Sequence, residues 1–172
     1  MSHDPKHPQT LEEFMAQALV MEREAAQRYN DLADAMETHN NRDVAKMFRT
    51  MAGYEAKHAQ AIMDEMGWVE APGMPTGAWP SMEPPENVPH DEVHYLMHPW
   101  HALQLALAAE ERARDFFDQL AQVATTDSIR RAALELRDEE VEHVGLVQAW
   151  LAKVPKPADD WHNDPDPPRH ID

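Results

Sequence analysis

Apolar residues recur at steps of three and four along four stretches of the chain. Leu11, Phe14, Ala18, Ala25, Tyr29, Leu32 and Met36 mark the first, and Val44, Met47, Phe48, Met51 and Ile62 the second. Leu103, Ala106, Ala113, Phe117 and Leu120 mark the third, and Ile129, Ala133, Leu136, Val147 and Trp150 the fourth. This spacing draws one apolar stripe along a helix. It predicts helices over 10–38, 42–67 and 128–153, with a further one starting near Pro99 or Trp100. The punctuation agrees. Thr10 followed by Glu13 is a capping box, Gly67 is a stop signal, and Thr125-Thr126-Asp127-Ser128 is a turn and cap cluster. Proline is absent from these stretches, as helix interiors require.

Four amphipathic helices, paired by short turns at His39-Asn40-Asn41 and at Thr125–Ser128, predict an all-α four-helix bundle made of two helical hairpins. The connection over 68–98 spans 98 − 68 + 1 = 31 residues and holds most of the mid-chain prolines. Antiparallel neighbours are usually joined by roughly 2–8 residues, so this length fits a crossover along the bundle. The expected organisation is an N-terminal tail over 1–9, the bundle over 10–153 and a Pro/Asp-rich tail over 154–172. The hairpins also resemble each other. Ala18-Leu19-Val20-Met21-Glu22 aligns with Ala106-Leu107-Ala108-Ala109-Glu110, a shift of 110 − 22 = 88, and Tyr29 then falls on Phe117. In the second helices Glu55 falls on Glu140 and His58 on His143, a shift of 140 − 55 = 85. One hairpin has been used twice, with a pseudo-twofold axis between the copies.

Composition narrows the function. A net charge of −17 repels phosphate backbones, so no nucleic-acid partner is expected. The absence of cysteine excludes thiolate zinc sites, Cys-ligated iron–sulfur centres and Cys nucleophiles. No apolar run approaches the roughly 18 residues of a membrane span, and the start lacks a signal-peptide core. The expectation is a cytoplasmic protein that does not engage membranes.

The candidate chemistry lies inside the stripes. Glu22 and Glu110 occupy steps where an apolar residue belongs. So do Glu55 with His58 and Glu140 with His143, each pair three residues apart and therefore on one helix face. Counted from the turns at 1.5 Å per residue, all six side chains fall near mid-height of the bundle. This count holds whichever way the third helix runs. An ionised carboxylate in a core costs several kcal/mol unless it is paired or metal-bound. Four of them facing one another add repulsion, and two metal ions remove both penalties. Carboxylate and imidazole donors suit iron and manganese. Inward Glu on two helices with Glu-x-x-His on the other two is a recognised plan for a dinuclear site.

On Glu22 with Tyr29, Glu55-Ala56-Lys57-His58, Glu110 with Phe117 and Glu140-Val141-Glu142-His143, the chain resembles the ferritin-like superfamily over about 10–153. Within that superfamily it resembles the rubrerythrin-like di-iron proteins. The resemblance implies a ferritin-like bundle with two Fe ions, Mn or a mixed pair being the alternative. Glu55 and Glu140 would bridge, Glu22 and Glu110 would be terminal ligands, and His58 and His143 would each hold one metal. It also implies reaction with O2 or hydrogen peroxide, a separate electron donor, and a homodimer or higher homo-oligomer. The chain departs from rubrerythrins proper in two respects. Without cysteine it has no rubredoxin domain, and the further helix-three carboxylate is replaced by Ala113 and Arg114. Bacterioferritins share the ligand set, but Ala56 stands where their haem-ligating Met lies.

Other residues admit two readings. Tyr29 is a candidate catalytic residue, either as a hydrogen-bond donor behind the ligands or as an oxidisable ring; the plainer role is core filling. Glu111 adjoins Glu110, and a one-residue shift would exchange them. His90, His94, His98 and His101 could form a second metal strip, and exposed histidines are the plainer reading. Glu135, Glu139 and Glu142 read as a solvated face. Competing functions are an iron-storage or ferroxidase cage, a metal-free helical adaptor and a di-iron hydroxylase.

Overall fold

The computed structural model describes residues 7–38, 40–73 and 98–158. Within them lie four helices and no strand: α1 (Leu11–Thr38), α2 (Arg42–Met66), α3 (Pro99–Val123) and α4 (Asp127–Leu151). Most of the 68–98 connection, His90, His94 and residues 159–172 of the tail lie outside the described residues.

The helix ends follow local chemistry. Thr10 Oγ1 accepts from Glu13 N at 3.1 Å. The return bond of the capping box goes one residue further out, to Gln9 N at 2.9 Å. Thr126 Oγ1 caps α4 by accepting from Ile129 N at 3.2 Å. α2 stops at Gly67, whose φ of 67° lies in the left-handed region. Trp68 N and Gly67 N there close back onto the carbonyls of Met63 and Asp64. The same closure ends α1 and opens the first hairpin turn, with Asn40 at φ 64° and Asn41 N bonded to Met36 O. Asparagine tolerates this conformation where most residues do not.

The stripes face inward as their spacing predicts, with one exception: Trp150 is 41% exposed and lies beneath the amine of Lys153. Its step of three beyond Val147 continues the stripe, but Leu151, a step of four beyond Val147, is the residue that packs against the core there.

Two apolar clusters form, one at each end of the bundle. The first holds Leu32, Met36, Val44, Phe48, Leu103 and Val147; the second holds Phe14, Leu19, Ile62, Phe117, Ile129 and Leu136. Each helix therefore crosses from one cluster to the other, and membership fixes its direction. The first half of α1 and of α4 lies in the second cluster, whereas α2 and α3 begin in the first. Hence α2 and α3 run in the same direction, α1 and α4 in the opposite one. The chain leaves α2 at one end and enters α3 at the other, about 37 Å away for 25-residue helices, so a long crossover is a geometric necessity.

Leu103 is 1% exposed and Trp150 is not part of the core. Leu103→Ala is expected to cost about 2–5 kcal/mol by chemical denaturation, and Trp150→Ala under about 1 kcal/mol despite its larger volume.

Candidate metal centre

Between the two apolar clusters each helix turns polar. Glu22 from α1, Glu55 from α2, Glu110 from α3, and Glu140 and His143 from α4 are all buried, the four carboxylates at 0–2% exposure. His58 is partly exposed, with a side-chain value of 22%. Glu110, and not Glu111, is the α3 residue turned into the centre.

The donor atoms group around two points. Around the first, His143 Nδ1 lies 3.1 Å from Glu55 Oε1, 3.4 Å from Glu110 Oε2 and 3.5 Å from Glu140 Oε2. Around the second, His58 Nδ1 lies 3.8 Å from Glu22 Oε2 and 3.5 Å from Glu139 Oε2. Glu55 also groups with both histidines, so it stands between the two points. The imidazole rings are parallel, with centroids 5.0 Å apart. The structure thus brings all six expected side chains together, around two adjacent points.

The residues fit a pair of cations on their own chemistry. Both oxygens of Glu55, Oε2 of Glu110 and Nδ1 of both histidines are buried with no aligned hydrogen bond. Buried polar atoms are nearly always satisfied, so orphaned donors converging on a point indicate a ligand. One imidazole N–H cannot serve three carboxylates at once. A mixed oxygen and nitrogen set of this kind suits Fe or Mn.

The electrostatics of the metal-free centre carry the same stress. Burial alone would lower the pKa of His143, but the close approach of the Glu110 and Glu55 carboxylates outweighs it and raises it to about 10. His58 is pushed down, chiefly by burial. Burial and then the charge of Glu110 hold the Tyr29 phenol well above its usual pKa. Tyr29 therefore keeps its proton and donates it to Glu110 Oε1 at 2.7 Å. The sequence places Tyr29 near the face of Glu22 on its own helix. Its partner is instead across the bundle on α3, which only the packing of α1 against α3 decides. Phe117, its repeat counterpart, is fully buried and packs edge-on against Phe14.

Two residues escape the sequence reading. Glu139, read as part of a solvated face, turns its carboxylate toward His58; Oε2 is buried with no aligned hydrogen bond. Burial, reinforced by Glu55 and opposed by His143, raises its pKa to about 7. The signal was its place three residues after buried Leu136 and four before His143. Tyr54 stacks on His143, with ring centroids 5.9 Å apart. Glu135 and Glu142 are exposed, as expected. Of the histidine strip, His98 and His101 are described, with rings 5.9 Å apart.

Fold and site together define a ferritin-like four-helix protein with a buried carboxylate–histidine cluster. Comparisons narrow this. The rubrerythrin family model matches residues 13–84, which include Glu22, Glu55 and His58. The solved structure of an uncharacterized conserved protein from Magnetospirillum magnetotacticum is 37% identical, with a TM-score of 0.69 over 87% of this chain and 98% of that one. No protein of curated function matches. The chain belongs to the rubrerythrin-like family of ferritin-like proteins. Among the described residues no helix is long and apolar enough to cross a membrane.

Two outcomes follow from the charge balance. Glu55→Gln is expected to raise the melting temperature of metal-free protein, because it removes one of four mutually repelling buried charges. The same change is expected to abolish the stabilisation that metal gives the wild type. Tyr29→Phe leaves Glu110 without its donor and is expected to cost about 1.5–3 kcal/mol in metal-free protein, read by denaturant unfolding.

Proposed function

We propose that this chain is a di-iron carboxylate protein whose centre reacts with O2 or hydrogen peroxide, in peroxide scavenging or Fe(II) oxidation. The convergence of four buried carboxylates and two histidines on two adjacent points carries this reading. Glu22, Glu55, His58, Glu110, Glu140 and His143 would hold the metals. A ferrous pair bound by these residues would supply two electrons, enough with two protons to reduce one hydrogen peroxide to two waters.

The protein contributes position, dryness and protons. The apolar clusters above and below the centre exclude water and strengthen every charge interaction inside it. Tyr29, keeping its proton, donates a hydrogen bond to Glu110 Oε1 and orients that carboxylate. With no cysteine in the chain, reducing electrons come from a separate donor or from Fe(II) itself.

The sealed and open sides differ. His143 is buried against Tyr54, whereas His58 borders a cavity of about 40 Å³ between α2 and α4, room for about one water molecule. This is the natural approach for a small oxidant.

The test is metal analysis followed by stopped-flow absorbance. Protein loaded anaerobically is expected to hold two irons per chain and to oxidise on mixing with stoichiometric peroxide. Glu55→Gln is expected to do neither. Fast oxidation by peroxide with slow oxidation by O2 identifies a scavenger, and the reverse a ferroxidase. Wild-type protein that binds no metal would return the chain to the adaptor class.

A further inference from the structure

The two halves of the centre differ at one pair of equivalent positions. The shift of 85 that places Glu140 on Glu55 places Glu139 on Tyr54, since 139 − 85 = 54. Both side chains reach the histidine of the opposite hairpin. Tyr54 on α2 stacks on His143 of α4, and Glu139 on α4 faces His58 of α2. The pseudo-twofold axis therefore carries one position to both sides of the centre. One side presents an aromatic ring and the other a carboxylate.

The carboxylate is placed as a ligand would be. Glu22, His58 and Glu139 each offer one donor atom, all within 4.8 Å of one another. The separations from His58 Nδ1, 3.8 and 3.5 Å, are shorter than the roughly 4.2 Å spanned by two opposite metal bonds of about 2.1 Å. Neither Glu139 Oε2 nor His58 Nδ1 has an aligned hydrogen bond, although both atoms are buried. Fully buried Glu55 adjoins them with both its oxygens equally unsatisfied. Glu139 and His58 both line the small cavity, whose rim carries exposed Glu65 and Glu135.

We propose that Glu139 is a seventh metal ligand, binding the ion held by Glu22 and His58 on its cavity side and making that site distinct from the one at Glu110 and His143. This rests on the dinuclear reading above. It assigns a role to a residue outside the duplicated six. Tyr54 closes the corresponding side of the other metal with a ring that brings no charge, so the two ions sit in unlike surroundings. The ion at Glu22, His58 and Glu139 faces the cavity and is the one that exchanges with solution. The other is enclosed.

The test is anaerobic equilibrium dialysis of Fe(II) against wild type, Glu139→Gln and Glu135→Gln, with metal analysis and thermal unfolding of each. Glu139 is half-buried at the edge of the core, so its amide variant is expected to fold and melt as the wild type does without metal. Wild type should bind two Fe(II) per chain. Glu139→Gln should keep one at the wild-type affinity and bind the other about tenfold more weakly or worse. Glu135→Gln controls for loss of one negative charge at the rim and should match wild type. Two sites of wild-type affinity in Glu139→Gln would overturn the proposal while leaving the dinuclear reading intact. So would equal weakening of both sites, or an identical loss in Glu135→Gln. Wild type binding no Fe(II) would remove the dinuclear reading and this inference with it.

Discussion

Four carboxylates held together away from water are the constraint around which this molecule is built. In a low-dielectric interior their repulsion is large, and the two histidines cannot neutralise all of it. Everything else about the centre follows from that imbalance. His143 takes up a proton well above its ordinary range, the Tyr29 phenol is locked in its neutral form, and donor atoms are left unsatisfied in a close-packed core. A pair of cations resolves all three at once. The apolar clusters at either end of the bundle supply the folding energy that holds so unfavourable a group of charges together.

Duplication explains the shape of the centre and its departures from symmetry. Repeating one hairpin supplies a Glu, and a Glu-x-x-His, from each half. The pseudo-twofold relation then brings equivalent side chains to opposite sides. Where the halves differ, the chemistry differs. Tyr29 donates to Glu110, whereas Phe117 has no hydroxyl to offer. Tyr54 covers His143 with a ring, whereas Glu139 brings a carboxylate to His58 at the edge of a cavity. The two halves are therefore unlike, with His143 buried and His58 partly exposed beside the cavity.

Much of this was legible in the chain because helix periodicity is a local property. The stripes, the caps at Thr10 and Thr126, the left-handed stop at Gly67 and the six inward polar residues all follow from steps of three and four and from turn chemistry. Trp150 shows where that reasoning stops. Its spacing is correct, but steps of three and of four from Val147 both continue the stripe, and it is Leu151 that packs against the core while Trp150 stays exposed.

Local spacing therefore determined that there are four helices, which face of each is apolar, and that six ligand-type side chains share those faces at one height. Tertiary structure alone decided the direction of α3, the crossing of Tyr29 to Glu110, and the turning of Glu139 toward His58. The physical reason is that a helix's own period relates residues on one cylinder. The pairing of side chains on different cylinders depends on how those cylinders are rotated and ordered, which only the packing of the whole bundle sets.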